Sequence, residues 1–191
     1  MGERKDLLSL GDRREGVRHA WSYLSLAICQ AERIETAWKA STGKRDAGGM
    51  ARLAHFLMSL HGEDYAFVMA LHQAKVWLKI VAGYEPTIKA GVRVFAASLP
   101  DLEELRDMWE HETDYFKGRG RKRQRWLHAL TPDVNIMQEA TAGSIWHDPS
   151  GRWTHRIGGR LDMGSAADAA KAMLKRLGDL MATNPDYRLF L

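Results

Sequence analysis

One cysteine, Cys29, is all that the 191 residues contain. A disulfide framework and a multi-thiolate metal site within one chain are therefore excluded, and a reducing interior is the natural setting. Cys29 falls inside the apolar-periodic segment "WSYLSLAICQAERIETAW". A cysteine on such a helix face usually packs as a small hydrophobe, so a core position is expected. Nowhere do about eighteen uncharged apolar residues run together, as a membrane-spanning helix requires. The N-terminal "MGERKDLLSLGDRREG" has charges but no apolar signal-peptide region, and Gly2 lacks the Ser or Thr at position 6 that myristoylation needs. A cytoplasmic protein without a membrane partner is the expectation.

Internal repeats, low-complexity tracts and long linkers are also missing, and only five prolines interrupt the chain. The chain has no G-x-S-x-G elbow, no phosphate-binding P-loop and no G-x-G-x-x-G turn. Nucleophile hydrolases and dinucleotide enzymes fall away with them. His55, His61 and His72 lack the tight spacing of a metal-binding helix, and "HETD" at 111–114 is not a recognised ligand array. Neither a metal nor a cofactor is expected.

What remains is a 45% hydrophobic chain of a length that suits one domain, 1–191. Val17, Trp21, Leu24, Ile28, Ala31, Ile34 and Trp38 recur at helical steps, giving a first helix that ends near "STGKRDAGG". Segment 50–60 reads as a short separate helix, with "HGED" at 61–64 as a break or cap. Residues 65–81 are apolar on most sides and read as a central helix stopped by "GYEP". Pro100 suits the first turn of the next helix, where Asp101, Glu103 and Glu104 favour the positive end of the helix dipole. That helix carries an apolar stripe of Leu102, Leu105, Trp109 and Phe116, widened by Met108 and Tyr115.

Further on, Ile145, Trp146, Trp153 and Ile157 flank the turn signal "DPSG", which predicts a β-hairpin within 140–158. A last helix over 164–183 is expected, capped by Ser165 and stopped by Asn184 and Pro185. The fold class is thus mainly α: a helical bundle, core 14–118, with a small β-hairpin near the C-terminal end.

Charge is uneven. Net charge is only +4, yet "KGRGRKRQRW" places Lys117, Arg119, Arg121, Lys122, Arg123 and Arg125 within ten residues, closed by Trp126. Such a basic loop, 117–126, can track a phosphate backbone and stack a base, so RNA or another polyanion is a candidate partner. A solvated charge run is the alternative.

Just before it stands "RDMWEH", in which Arg106, Asp107 and His111 are spaced as Arg, polar residue, three others, His. A planar guanidinium holds a phosphate and stabilises charge on it, and an imidazole moves protons near neutral pH. Together they can act on RNA without a metal, the 2′-OH serving as nucleophile. The other reading makes both solvent residues, with Arg106 paired to Glu103 or Glu110 at helical spacing.

In this motif and its helical setting the chain resembles the HEPN domains, over roughly residues 14–118. The resemblance implies a metal-independent endoribonuclease of toxin or defence type, working as a homodimer whose two motifs line one cleft. By it, His111 is the acid/base, Arg106 the phosphate contact and Asp107 the residue that orients them. On an ideal helix Arg106 and His111 stand about 140° apart, which makes the second subunit part of the expectation. The competing readings are a non-catalytic nucleic-acid-binding or protein-interaction module, and a basic loop that meets an acidic antitoxin-type protein.

Overall fold

The computed structural model describes residues 9–42, 47–111, 114, 117, 119, 127–131, 134–137, 144–147, 153–158 and 160–190. Among the described residues five α-helices carry the fold: α1 (Leu10–Thr42), α2 (Ala47–Tyr84), α3 (Lys89–Ala97), α4 (Leu102–Glu110) and α5 (Met163–Thr183). The strands are β1 (Leu127–Thr131), β2 (Val134–Met137), β3 (Ser144–His147), β4 (Trp153–Ile157) and β5 (Leu161–Asp162). The bundle with its β-hairpin near the C-terminal end is the architecture that the hydrophobic pattern predicts.

α1 buries Val17, Ala20, Leu24, Ala27, Ala31 and Ile34, a stripe at steps of three and four. The stripe lies against α2, and two cross-links fix their sense. Arg33 bridges Glu63 at 2.7 Å near one end, and the Tyr84 hydroxyl donates to the Arg13 carbonyl at 2.9 Å near the other. The helices therefore run antiparallel. Gly16 sits at the second of these contacts, where an added Cβ would strike the Tyr84 hydroxyl. Gly16→Ala is expected to cost about 1–3 kcal/mol, the usual range for overpacking, read as a lower denaturation midpoint with an unchanged m-value.

α2 is one helix, not two. The "HGED" stretch expected to interrupt it stays helical because its carboxylates have partners: Glu63 in the bridge to Arg33, and Asp64 in a buried contact with His155. Polar residues that would end a helix in water are here neutralised by side chains from other elements. Cys29 corrects a second expectation, because it is exposed. The buried side of α1 runs through Ala27, Gln30 and Ala31, and Cys29 faces outward between them.

α5 packs against α1 and buries Ala166, Ala167, Ala170, Met173 and Leu177. Its cap is Asp162, not Ser165: Oδ1 of Asp162 accepts from the Ser165 backbone N–H at 2.7 Å, so the serine is the third helical residue. The helix ends at Thr183, as the following Asn184 and Pro185 require. Tyr187, in the closing 3₁₀ turn, is buried and donates its hydroxyl to Glu85 at 2.5 Å. Burial and that carboxylate push its pKa up, and burial raises Tyr84 to about 12.

β3 and β4 pair antiparallel with Ser144 opposite Arg156 and His147 opposite Trp153, across the "DPSG" turn signal. β5 adds to β4 through a turn at Gly158, whose φ of 58° suits glycine. A second antiparallel pair, β1 with β2, is a feature that the sequence reading did not anticipate. Among the described residues no helix is long and apolar enough to cross a membrane.

Candidate functional site

α4 forms because Leu102, Leu105, Met108 and Trp109 give it a buried stripe, while Glu103 and Glu104 load its first turn. It begins at Leu102, two residues later than Pro100 suggested, and ends at Glu110. The possible continuation through Tyr115 and Phe116 lies outside the described residues.

Two contacts set the register of α4 on α2. Lys75 bridges Glu103 at 2.9 Å, and the Trp109 ring meets Tyr65 edge-on with centroids 5.8 Å apart. His61 approaches the same ring edge-on at 6.2 Å. As α4 advances from 103 to 109, its neighbours on α2 go back from 75 to 65 and 61. The pair is antiparallel, and Arg106 falls opposite the turn of α2 that holds His72.

Electrostatics agree with that register. Burial holds the His72 pKa below the ordinary imidazole value, and the positive charge of Arg106 lowers it further; Lys75 acts in the same sense, while Glu103 and Glu110 oppose it. At pH 7 His72 is neutral. Nδ1 of His72 and Nε of Arg106 are both buried without a partner among the described residues. Sequence spacing hid this histidine because it lies 34 positions from Arg106 and meets it only through helix packing.

The predicted motif residues are arranged differently. Arg106 forms an ion pair with Glu110 one turn on, and its side chain is about one-third exposed. His111 lies just past the helix, at φ −119° and ψ 28°, as the C-cap, its backbone N–H donating to the Asp107 carbonyl. Its ring, 58% exposed, has Nε2 at 3.8 Å from Asp107 Oδ1. Arg106 and His111 thus answer to different carboxylates, Glu110 and Asp107. Arg106 pairs with Glu110 at helical spacing, one of the two partners that the solvent-residue reading gave it.

Two further backbone bonds follow His111. The Asp114 N–H donates to the His111 carbonyl at 2.9 Å, and the Arg119 N–H donates to the Asp114 carbonyl at 2.8 Å. Lys117 and Arg119, at the start of the basic segment, are exposed. Arg121, Lys122, Arg123, Arg125 and Trp126 lie outside the described residues.

No protein-family model matches the chain, and neither does any curated protein or any solved structure. Among the described residues no group of three acidic, His or Cys side chains is placed to hold a metal ion.

Proposed function

We propose that this chain is an HEPN-like RNA-binding protein whose binding surface starts at the C-terminal end of α4. The observation that carries the reading is that His111, at the end of α4, and Lys117 and Arg119, at the head of the basic stretch, are all exposed, with successive backbone bonds linking Asp114 to His111 and Arg119 to Asp114. The first cations of a six-cation stretch thus follow the motif histidine within eight residues. Phosphates bound along 117–126 would then pass within reach of residues 106–111. Cleavage is the second part of the proposal: His111 as acid/base oriented by Asp107, Arg106 as phosphate contact, and a second copy of the chain closing the cleft.

A non-catalytic module is the other reading, and the ion pair between Arg106 and Glu110 favours it, since a guanidinium held by a carboxylate is not free for phosphate. The two parts separate experimentally. With Lys117 and Arg119 replaced together by alanine, single-stranded RNA should bind about tenfold more weakly at low salt. The dependence of log K on log salt should flatten by about 1.4, two phosphates at roughly 0.7 each. An affinity unchanged by the double substitution would contradict the assigned surface.

Glu110→Gln gives a sharper test of Arg106. If the carboxylate competes with phosphate for the guanidinium, the substitution should tighten RNA binding severalfold in fluorescence anisotropy, with no effect in an Arg106→Ala background. Equal tightening in both backgrounds would mean only that a negative charge had been removed from the surface.

A further inference from the structure

Two exposed rings on α2 have no part in the surface proposed above. Tyr65 is 40% exposed and His61 is also exposed; four residues apart, they share one side of the helix. Both meet the same indole. Tyr65 stands edge-on to Trp109 with ring centroids 5.8 Å apart and the planes at 82°, and His61 does so at 6.2 Å and 80°. Trp109 is itself only 7% exposed, so it holds the two outer rings from within the seam between α2 and α4. An edge-on contact covers at most one face of a ring, which leaves Tyr65 and His61 each with a flat face that Trp109 does not cover.

Large side chains exposed singly are ordinary on a protein surface. These two are neighbours, anchored on one buried ring, and placed at the end of α4 that carries the motif histidine. The antiparallel course of α4 along α2 brings Trp109 to the level of Tyr65 and His61, and His111 caps the helix two residues further on, its ring 58% exposed. The acidic residues that adjoin the rings in sequence do not oppose a phosphate chain with free charge: Glu63 is bridged by Arg33, Glu110 by Arg106, and Asp64 is buried. Flat aromatic faces beside a run of cations suit a strand whose bases are unpaired, because every base has a face to stack and a duplex keeps its bases stacked on one another.

We propose that Tyr65 and His61 form a stacking platform for unpaired bases, which makes single-stranded RNA the substrate class. The inference rests on the RNA-binding reading above, with the phosphates of the same strand held along 117–126. Binding of a short single-stranded RNA to the full chain, followed by fluorescence anisotropy across a range of salt, is the test. Leucine at either position keeps a side chain of helix-forming, apolar character against Trp109 and removes the aromatic face, whereas Tyr65→Phe keeps the face. Tyr65→Leu and His61→Leu should each weaken binding about fivefold or more, the lower end of what one stacked base contributes. The salt slope should stay as in the wild type, since no phosphate contact is lost. Tyr65→Phe should bind as the wild type does. On an abasic strand of the same length, all four proteins should bind alike. Wild-type affinity in either leucine variant, or an equal loss on the abasic strand, would overturn the platform and leave the basic surface standing. A wild-type salt slope near zero would overturn the basic surface and the platform with it.

Discussion

Asp64→Ala should destabilise the protein by about 3 kcal/mol, within the range for breaking a buried pair and leaving one member without its partner, whereas Asp64→Asn should cost less than about 1 kcal/mol. Alanine removes the hydrogen-bond partner of His155 Nε2 from a site where neither side chain meets water. Asparagine keeps an oxygen in the same place and avoids burying a charge. Chemical denaturation of the three proteins at pH 7 separates these outcomes. An alanine variant as stable as the asparagine one would mean that the bond between α2 and β4 contributes nothing.

The same pair sets a pH dependence. Burial pushes the Asp64 carboxyl above its ordinary range, only partly offset by the hydrogen bond and charge of His155. The folded protein therefore holds this proton more tightly than the unfolded chain does. Stability from this group falls as pH rises from the ordinary carboxylate value to the raised folded one, and the full cost is present above it. In Asp64→Asn that decline should disappear, so the stability difference between variant and wild type should grow in favour of the variant across that window. A constant difference would show that the carboxyl does not titrate there.

The second large effect concerns chemistry. The proposed mechanism predicts RNA cleavage in the presence of a chelator, lost by about 10²–10⁴-fold in His111→Ala, the usual range for removing a general acid or base. Arg106→Ala should lose a similar factor, because stabilisation of charge on the phosphate goes with the guanidinium. Rates should rise with protein concentration wherever assembly limits the reaction, since the proposed mechanism has a second copy complete the cleft. His72→Gln belongs in the same series. Loss of cleavage there, with His111→Ala still active, would transfer the proton-moving role to the imidazole that faces Arg106 across α2. Equal rates in all the proteins would remove the catalytic part and leave the binding part standing.

The sequence was most legible where periodicity meets burial. The α1 stripe, the buried side of α4, the end of α5 at Asn184–Pro185 and the strands on either side of "DPSG" all follow from local pattern. It was least legible where a distant residue decides a local outcome. "HGED" reads as a break until His155, 91 positions away from Asp64, supplies the partner that lets the helix continue. His72 reads as an isolated histidine until α4 lays Arg106 along the same part of α2. Asp162 and Ser165 are both good caps by residue type, and only the strand ending at Asp162 decides between them. The pairing of β1 with β2 was missed although Pro132 and Asp133, residues that favour turns, stand between the two strands.

RNA affinity measured against salt concentration tests the central claim most directly. If the six cations between Lys117 and Arg125 each neutralise a phosphate of a single strand, log K should fall with log salt at a slope of about −4, six contacts at roughly 0.7 each. A slope near zero, or no binding at low salt, would contradict the account.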